Sequence, residues 1–500
     1  MPQNTNILQY LEHSAAAVPA KIAVADEVCS CSYEELLRDS RKIGSGLCQN
    51  FSACSPVPVF MEKSVETLKL FFGAVYAGCF YVLINPEFPA PRIQAILETL
   101  NTRKIVTSHS FAEKLSALDG LDVLFLEDLI QTPEDTSALD NIRVHALDTD
   151  PLYANFTSGS TGVPKGVVVC HRSVIDFIEH FTSLFSITQE DVIGNQAPFD
   201  FDVSVKDIYS AMKTGARLEI VPKPLFSQPA KLLDHLCDRK ITTMIWAVSA
   251  LCLVTTFHGL DYRVPETVNK VLFSGEAMPM KHLKQWMNHL PEARFINLYG
   301  PTEITCNCTW HEVERDREYP DGLPIGRSFP NEKVFLLDEE NHLVTTPGAH
   351  GEICVTGTAL ALGYYNNPTQ TESRFVQNPL VTAYPQRMYR TGDLGWYNED
   401  GELFFAGRKD FQIKYMGHRI ELEEIERALS GVEGVERACC VFDEKKGRLT
   451  AYYVGEIEGK DIRHTLSATL PVFMLPGTYV KLSEMPLNKN GKIDRKSLHR

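Results

Sequence analysis

The sequence predicts an α/β protein: a large N-terminal domain of mostly parallel sheets with helices and a small β-barrel-like part, then a small α+β C-terminal domain. Three observations carry this. Helical and strand patterns alternate through most of the chain; from Val334 short strands follow one another with turn residues between them; and beyond GRKDFQIK (407–414) a compact tail returns to mixed helix and strand.

The alternation begins with helical spacing over 33–47 and 65–78. Short β-branched or aromatic runs stand beside these helices at 56–60 and 80–84. LYANF (152–156) is strand-like. Further strand-like pieces cover 216–222, 241–248, 269–275 and 293–300, several just after helical stretches such as 231–239 and 280–290. That rhythm is the signature of β-α-β units and parallel sheet. VFLLDEEN, GEICVTG and LGWYNEDGELFFAG then read as antiparallel β. The tail holds a helix over 422–431, strands within 439–455 and a helix over about 461–470. A domain boundary is placed at 409–410, separating a core of 1–408 from a tail of 411–500 with the size of a small domain.

Composition narrows the function. In 500 residues, 49 basic and 64 acidic side chains give a net charge of −15. That argues against a general polyanion binder, because nucleic-acid affinity rests on neutralising phosphates, while a local phosphate site remains open. The hydrophobic fraction of 44% is that of a folded globular chain. Thirteen cysteines include no C-x-x-C pair, which disfavours zinc and points to small buried residues in a reducing compartment. The start lacks a basic region followed by an apolar run, and the longest apolar stretch, 70–84, is 15 residues with two glycines inside. A membrane span needs about 18. A cytoplasmic protein without membrane insertion is expected.

The strongest local signal is TSGSTGVPKG, 157–166, with two threonines, two serines and three glycines in ten residues. Hydroxyls and open backbone N–H groups make an anion cradle, to which Lys165 adds a positive charge. Pro164 stands where a P-loop has the glycine before its lysine, so this is not a P-loop, and a flexible surface loop is the alternative to a phosphate cradle, disfavoured by the ordered TG-x-PKG ending. NLYGPTE (297–303) supplies a ring, a hydroxyl and a carboxylate at close spacing, and YRTGD (389–393) ends in an acid suited to ribose hydroxyls. NKNGKIDRKSL sets Lys492 on a glycine turn near the C-terminus.

With NQAPFDFDVSVKDIY (195–209) and LFSGEAMP (272–279), these motifs in this order make the chain resemble the adenylate-forming superfamily over essentially its full length. That superfamily includes acyl-CoA synthetases, luciferases and the adenylation domains of nonribosomal peptide synthetases. The chain looks most like amino-acid-activating members, and among them like stand-alone D-alanine:D-alanyl-carrier-protein ligases.

The resemblance implies ATP-dependent adenylation of an amino acid, with Mg2+, and then transfer to the phosphopantetheine thiol of a carrier protein supplied in trans or by a removed downstream domain. It implies Lys492, Thr302 and Glu303 as catalytic residues, with Glu303 also holding the metal. Thr157, Ser158, Gly159, Ser160, Thr161, Gly162 and Lys165 would hold the phosphates. Tyr299 would stack on the base, which Gly275 and Glu276 would border, Asn297 and Gly300 would also contact the nucleotide, and Asp393 would accept the ribose hydroxyls with Arg408 nearby. Asp410 would be the hinge of a mobile C-terminal lid whose rotation withdraws Lys492 and brings the stretch around Gly417 to the site.

Asp202 would bind the substrate α-ammonium; it lies among apolar neighbours, where a carboxylate needs a cationic partner. Asp200 is a rival acid. The side chain would meet Val203, Lys206, Ile245, Leu272, Ser274, Leu298, Cys306 and Asn307. The D-alanine ligases have cysteine where Ser274 stands and methionine where Lys206 stands, so a small amino acid of alanine or serine type, of either hand, is expected. Lys206 could meet an acidic or hydroxylated side chain or extend to solvent. The alternatives are an acyl- or aryl-CoA ligase, disfavoured by Asp202, and a non-catalytic nucleotide-binding protein.

Overall fold

A computed structural model describes residues 4–159, 163–410, 412–415, 418–443, 446–487 and 493–498. Two large sheets dominate the N-terminal part. The first has nine strands; its central run, Ile22–Ala25, Arg217–Ile220, Val192–Asn195, Thr243–Ala247, Lys270–Ser274 and Arg294–Tyr299, is parallel. The second has seven strands and is parallel from Asp122–Phe125 through Lys104–Thr107, Pro56–Phe60 and Phe80–Ile84 to Pro151–Thr157. A six-stranded antiparallel sheet follows, built around His350–Gly357 and Arg387–Tyr397, as the turn-rich sequence after Val334 requires.

The two large sheets share one apolar core. Val59, Tyr81 and Val169 of one sheet belong to the same buried cluster as Leu218, Leu272 and Ile296 of the other, with the helices Tyr33–Leu47, Val65–Tyr76, His171–Leu184 and Val203–Thr214 contributing to it. The helix Tyr33–Leu47 starts at Ser32, whose side chain accepts from the Glu35 N–H while the Glu35 carboxylate accepts from the Ser32 N–H, a reciprocal cap. It then approaches Val65–Tyr76 so closely that a Cβ on Gly44 would lie 2.6 Å from the Tyr76 Cβ, and one on Gly73 2.4 Å from the Ile43 Cγ2. Helices on the far side of the nine-stranded sheet, including Pro229–Asp238, Val248–Thr256 and Met280–His289, bury a second core.

The C-terminal part has its own core, formed by Ile420, Ile425, Leu449, Tyr453, Leu466 and others, around a three-stranded sheet and two helices. The helix expected over 461–470 spans Gly459–Ser467. It stops short because Leu470 precedes Pro471, a position that disfavours helical backbone. No helix among the described residues is long and apolar enough to cross a membrane, and all thirteen cysteines are free thiols.

Candidate active site

The carboxyl ends of strands from both large sheets open on one cavity, the place where parallel α/β sheets leave loops free to bind ligands. Thr157 ends one strand, Ser274 and Gly275 end another, and Tyr299 leads into Gly300, Pro301 and Thr302. The strands flanking the glycine-rich segment pair antiparallel, Pro151–Thr157 with Lys165–Cys170, placing Thr157 opposite Lys165. Ser160, Thr161 and Gly162 lie outside the described residues, as do Gly417 and Lys492.

The C-terminal part reaches into this cavity. Its hairpin, Gln412–Tyr415 paired with His418–Glu421, lines it together with Phe473 and Met474. The Ser158 hydroxyl donates to the Arg419 carbonyl at 2.9 Å and accepts from the Glu421 N–H at 3.2 Å. The Gly159 N–H donates to Glu424 at 3.3 Å, and Arg92 pairs with the same carboxylate at 2.5 Å. The Glu424 carboxylate and the Arg419 and Glu421 backbone thus occupy Gly159 and Ser158 of the glycine-rich segment. The described residues 493–498 do not line the cavity; Ile493 and Leu498 instead pack near Cys439, Val441 and Met485.

Glu303 is completely buried beneath the cradle. It accepts from the Tyr364 hydroxyl at 2.8 Å, pairs with Arg419 at 2.7 Å, and lies 4.0 Å from the Lys165 Nζ. Burial alone would push its carboxyl up; Arg419, Lys165 and Tyr364 outweigh that and hold it well below the usual range. Lys165, also 4.0 Å from Glu421, is pushed down to about 8 by burial and by Arg419, against the pull of both carboxylates.

On one side of the cavity, Asp393 is gripped by the Tyr299 hydroxyl and by Arg408. Arg408 also donates to Asp410 at 2.6 and 2.9 Å, so the acid expected at the ribose and the expected hinge residue share one guanidinium. The Lys414 Nζ lies 5.7 Å over the Tyr299 ring. Gly275, Gly300, Thr302, Asp393 and Arg408 line the cavity, while Glu276 is half-buried just beyond Gly275. Asn297 does something else: its Nδ2 donates to the Pro324 carbonyl at 2.9 Å and anchors a neighbouring segment.

On the opposite side, Asp202 and Val203 line the cavity at the start of the helix Val203–Thr214. Burial pushes the Asp202 carboxyl up, opposed by a hydrogen bond from Thr302 and by Lys206 and Lys414. Asp200 lines the same cavity and is pushed up to about 6 by burial. Ser274, Cys306 and Asn307 complete this wall. Ile245, Leu272 and Leu298 are buried in the apolar cluster that also contains Cys306, packed in the core below the lining. Lys206 does not extend to solvent: it is completely buried, and its Nζ donates to the Asn307 Oδ1 at 2.7 Å.

Two consecutive residues before Asn307 are strained. Thr305 and Cys306 have φ of 54° and 76°, a region that costs non-glycine residues about 1–3 kcal/mol each. The loop is pinned by the Thr305 hydroxyl, which donates to the Ala359 carbonyl at 2.7 Å, and by Gly300, where a Cβ would lie 2.5 Å from the Asn307 Cα.

Sequence reasoning missed Arg92, Asn155, Lys414, Arg419 and Glu424. Asn155 had a legible signal. It sits two residues from Thr157 on a strand, hence on the same face, and its Nδ2 is buried with no partner among the described residues. The Arg92 to Glu424 contact spans 332 positions and has no local signature.

The profile of the AMP-binding enzyme family matches residues 11–365. Tyrocidine synthase 1 of Brevibacillus parabrevis is 34% identical over 507 residues, covering 99% of this chain and 45% of that protein, so the chain spans less than half the length of this relative. Among solved structures, the Vibrio cholerae adenylation domain AlmE, in complex with glycyl-adenosine-5'-phosphate, superposes with a TM-score of 0.85 at 23% identity, covering 100% of this chain and 98% of the other. PA1221, a nonribosomal peptide synthetase protein in its holo form containing adenylation and PCP domains, gives 0.84 at 23% identity, covering 99% and 84%. These last two likenesses concern the fold.

Proposed function

The chain belongs to the AMP-binding enzyme family, and from that premise we propose that it joins an amino acid to AMP at the expense of ATP and then passes the aminoacyl group to a carrier-protein thiol. The observation that carries this reading is a single cavity lined by Asp202 on one side, Asp393 with Arg408 on the other, and Thr302 among the groups between, beside the glycine-rich loop. A carboxylate at the cavity wall, beside Thr302 and opposed by Lys206 and Lys414, suits an α-ammonium, which a fatty or aryl acid lacks. The glycyl adenylate bound to AlmE and the PCP domain of PA1221 support the two halves of the proposal.

In the first half, a carboxylate oxygen attacks the α-phosphorus and pyrophosphate leaves with the bonding pair. Two anions about 4 Å apart repel by on the order of 4 kcal/mol at an effective dielectric near 20, so cations must flank them. Lys414 in the cavity wall and Lys165 beside Glu303 supply that charge, and Lys492 is proposed to bridge the reacting groups. Thr302, bonded to Asp202, stands where amino acid and phosphate meet. Glu303 fits a magnesium ion: it is a buried carboxylate held ionised, beside a phosphate loop, with a guanidinium now paired to it. The ion would neutralise phosphate charge there.

In the second half, a thiolate sulfur attacks the acyl carbon and AMP leaves. The lid position seen here suits that half, since Arg419, Glu421 and Glu424 fill the places that polyphosphate and metal would take. The domain assignment follows: 1–408 as the binding core, 409–410 as the hinge and 411–500 as the lid carrying Lys492.

ATP–pyrophosphate exchange across all L- and D-amino acids tests the first half. One or a few amino acids should give strong exchange, and Asp202→Ala should raise their KM by on the order of 100-fold, as expected for removing a buried charge partner. Exchange with no amino acid, or an unchanged KM in Asp202→Ala, would refute the reading.

A further inference from the structure

The side-chain end of the cavity carries one unusual arrangement. Lys206 is completely buried, and the only hydrogen bond of its Nζ among the described residues is the one to the Asn307 Oδ1. A carboxamide can sit either way round, but an ammonium is donor-only. The lysine therefore admits a single orientation: Oδ1 toward Lys206 and Nδ2 away from it. Asn307 lines the cavity, and its Nδ2 makes no hydrogen bond among the described residues. The strained turn at Thr305 and Cys306, together with Gly300, holds the Asn307 backbone against that wall. Its other lining groups, Ser274 and Cys306, are short, and Ile245, Leu272 and Leu298 pack closely in the core beneath.

We propose that Lys206 is a positioning residue that fixes the Asn307 amino group as a hydrogen-bond donor for the substrate, so that the chamber selects an amino acid carrying an oxygen acceptor on its side chain. This rests on the amino-acid reading and sharpens it, setting serine-like substrates above alanine. An apolar substrate would bury the Nδ2 unpaired, and a site built to hydrogen-bond a group rejects the analogue that lacks it far more strongly than an apolar pocket rejects an extra methylene. Lys206 acts at one remove, by excluding the flipped amide.

The test compares near-isosteric pairs in ATP–pyrophosphate exchange: serine with 2-aminobutyrate, threonine with valine, asparagine with leucine, each in both hands. At least one oxygen-bearing member should exceed its apolar partner by 100-fold or more in kcat/KM. Lys206→Met, which keeps the length and removes the charge, should cut that ratio tenfold or more while the KM for ATP stays in place. Asn307→Asp keeps the size and the Lys206 contact but replaces the donor with an acceptor, and should cut the ratio at least as far; it guards against a Lys206→Met chain that fails to fold. Apolar members equal to or better than their partners, or a ratio unmoved in both variants, would overturn the inference while leaving amino-acid activation standing. Exchange with no amino acid in wild-type protein that still binds ATP would overturn both.

Discussion

Lys165 shows how one residue's setting fixes a pH dependence. Its ammonium is buried between Glu303 and Glu421 at 4.0 Å from each, and burial with Arg419 brings it down to about 8. A polyphosphate needs the charged form, so affinity should fall as pH rises through that value. Between pH 7 and 9 the charged fraction drops about tenfold, and the KM for pyrophosphate in the exchange reaction should rise by the same factor. Lys165→Arg, which stays charged throughout, should flatten the profile; a slope equal to wild type would remove Lys165 from the phosphate site. The stability sign is opposite: the unfolded chain holds this proton more tightly than the folded one, so the group's contribution to folding stability increases as pH rises from about 8 toward 10.5. Lys165 was legible in the sequence because its loop is local. The orientation of Asn307 was not, because the lysine that sets it lies 101 residues away.

Among the elements, the hairpin Gln412–Tyr415 with His418–Glu421 and the helix Leu422–Ser430 that follows it matter most, because they hold groups that are proposed to meet the phosphates. Gly159 donates to Glu424, Ser158 to the Arg419 carbonyl, and Glu303 pairs with the Arg419 side chain. On the proposed reading, a polyphosphate at these groups and the contacts seen here exclude each other. Pyrophosphate added alone should speed hydrogen exchange at the Glu421 amide, which here is bonded to Ser158; unchanged protection would show that the two coexist. Arg92→Ala strands the buried Glu424 carboxylate, a loss of about 3–5 kcal/mol for a broken buried pair. Thioester formation should then fall at least tenfold more than pyrophosphate exchange, and equal loss of both would argue against a role for this contact in lid docking. The hairpin's own strands had no separate signal in GRKDFQIK, which marks only the passage into the tail. Its place against the cradle had none either, since no periodicity records which loop of another domain a turn will meet.

For the whole molecule, the division of cores decides how the chain unfolds. The two large sheets share one buried cluster, so the N-terminal part can lose neither alone. The C-terminal core draws its buried members from 420–475. What joins the two parts at the site is largely polar: Arg92 with Glu424, Arg419 with Glu303, and Ser158 with the Arg419 and Glu421 backbone. Polar interfaces of this kind couple domains weakly and let them move. The tail was visible in the sequence as a unit because its helix and strand patterns close on themselves, whereas the sharing of a core by two sheets far apart in sequence was not. The charge of −15 fits the same division, with Arg92, Lys165, Lys414 and Arg419 gathered at one cavity of an otherwise acidic protein. Calorimetry should accordingly resolve two transitions. Leu466→Ala, which empties space in the C-terminal core, should cost that domain about 2–5 kcal/mol and lower one transition while the larger one holds its temperature. A single transition displaced as a whole would mean that the polar contacts bind the two parts into one cooperative unit, and that lid rotation must break more than the hairpin's bonds.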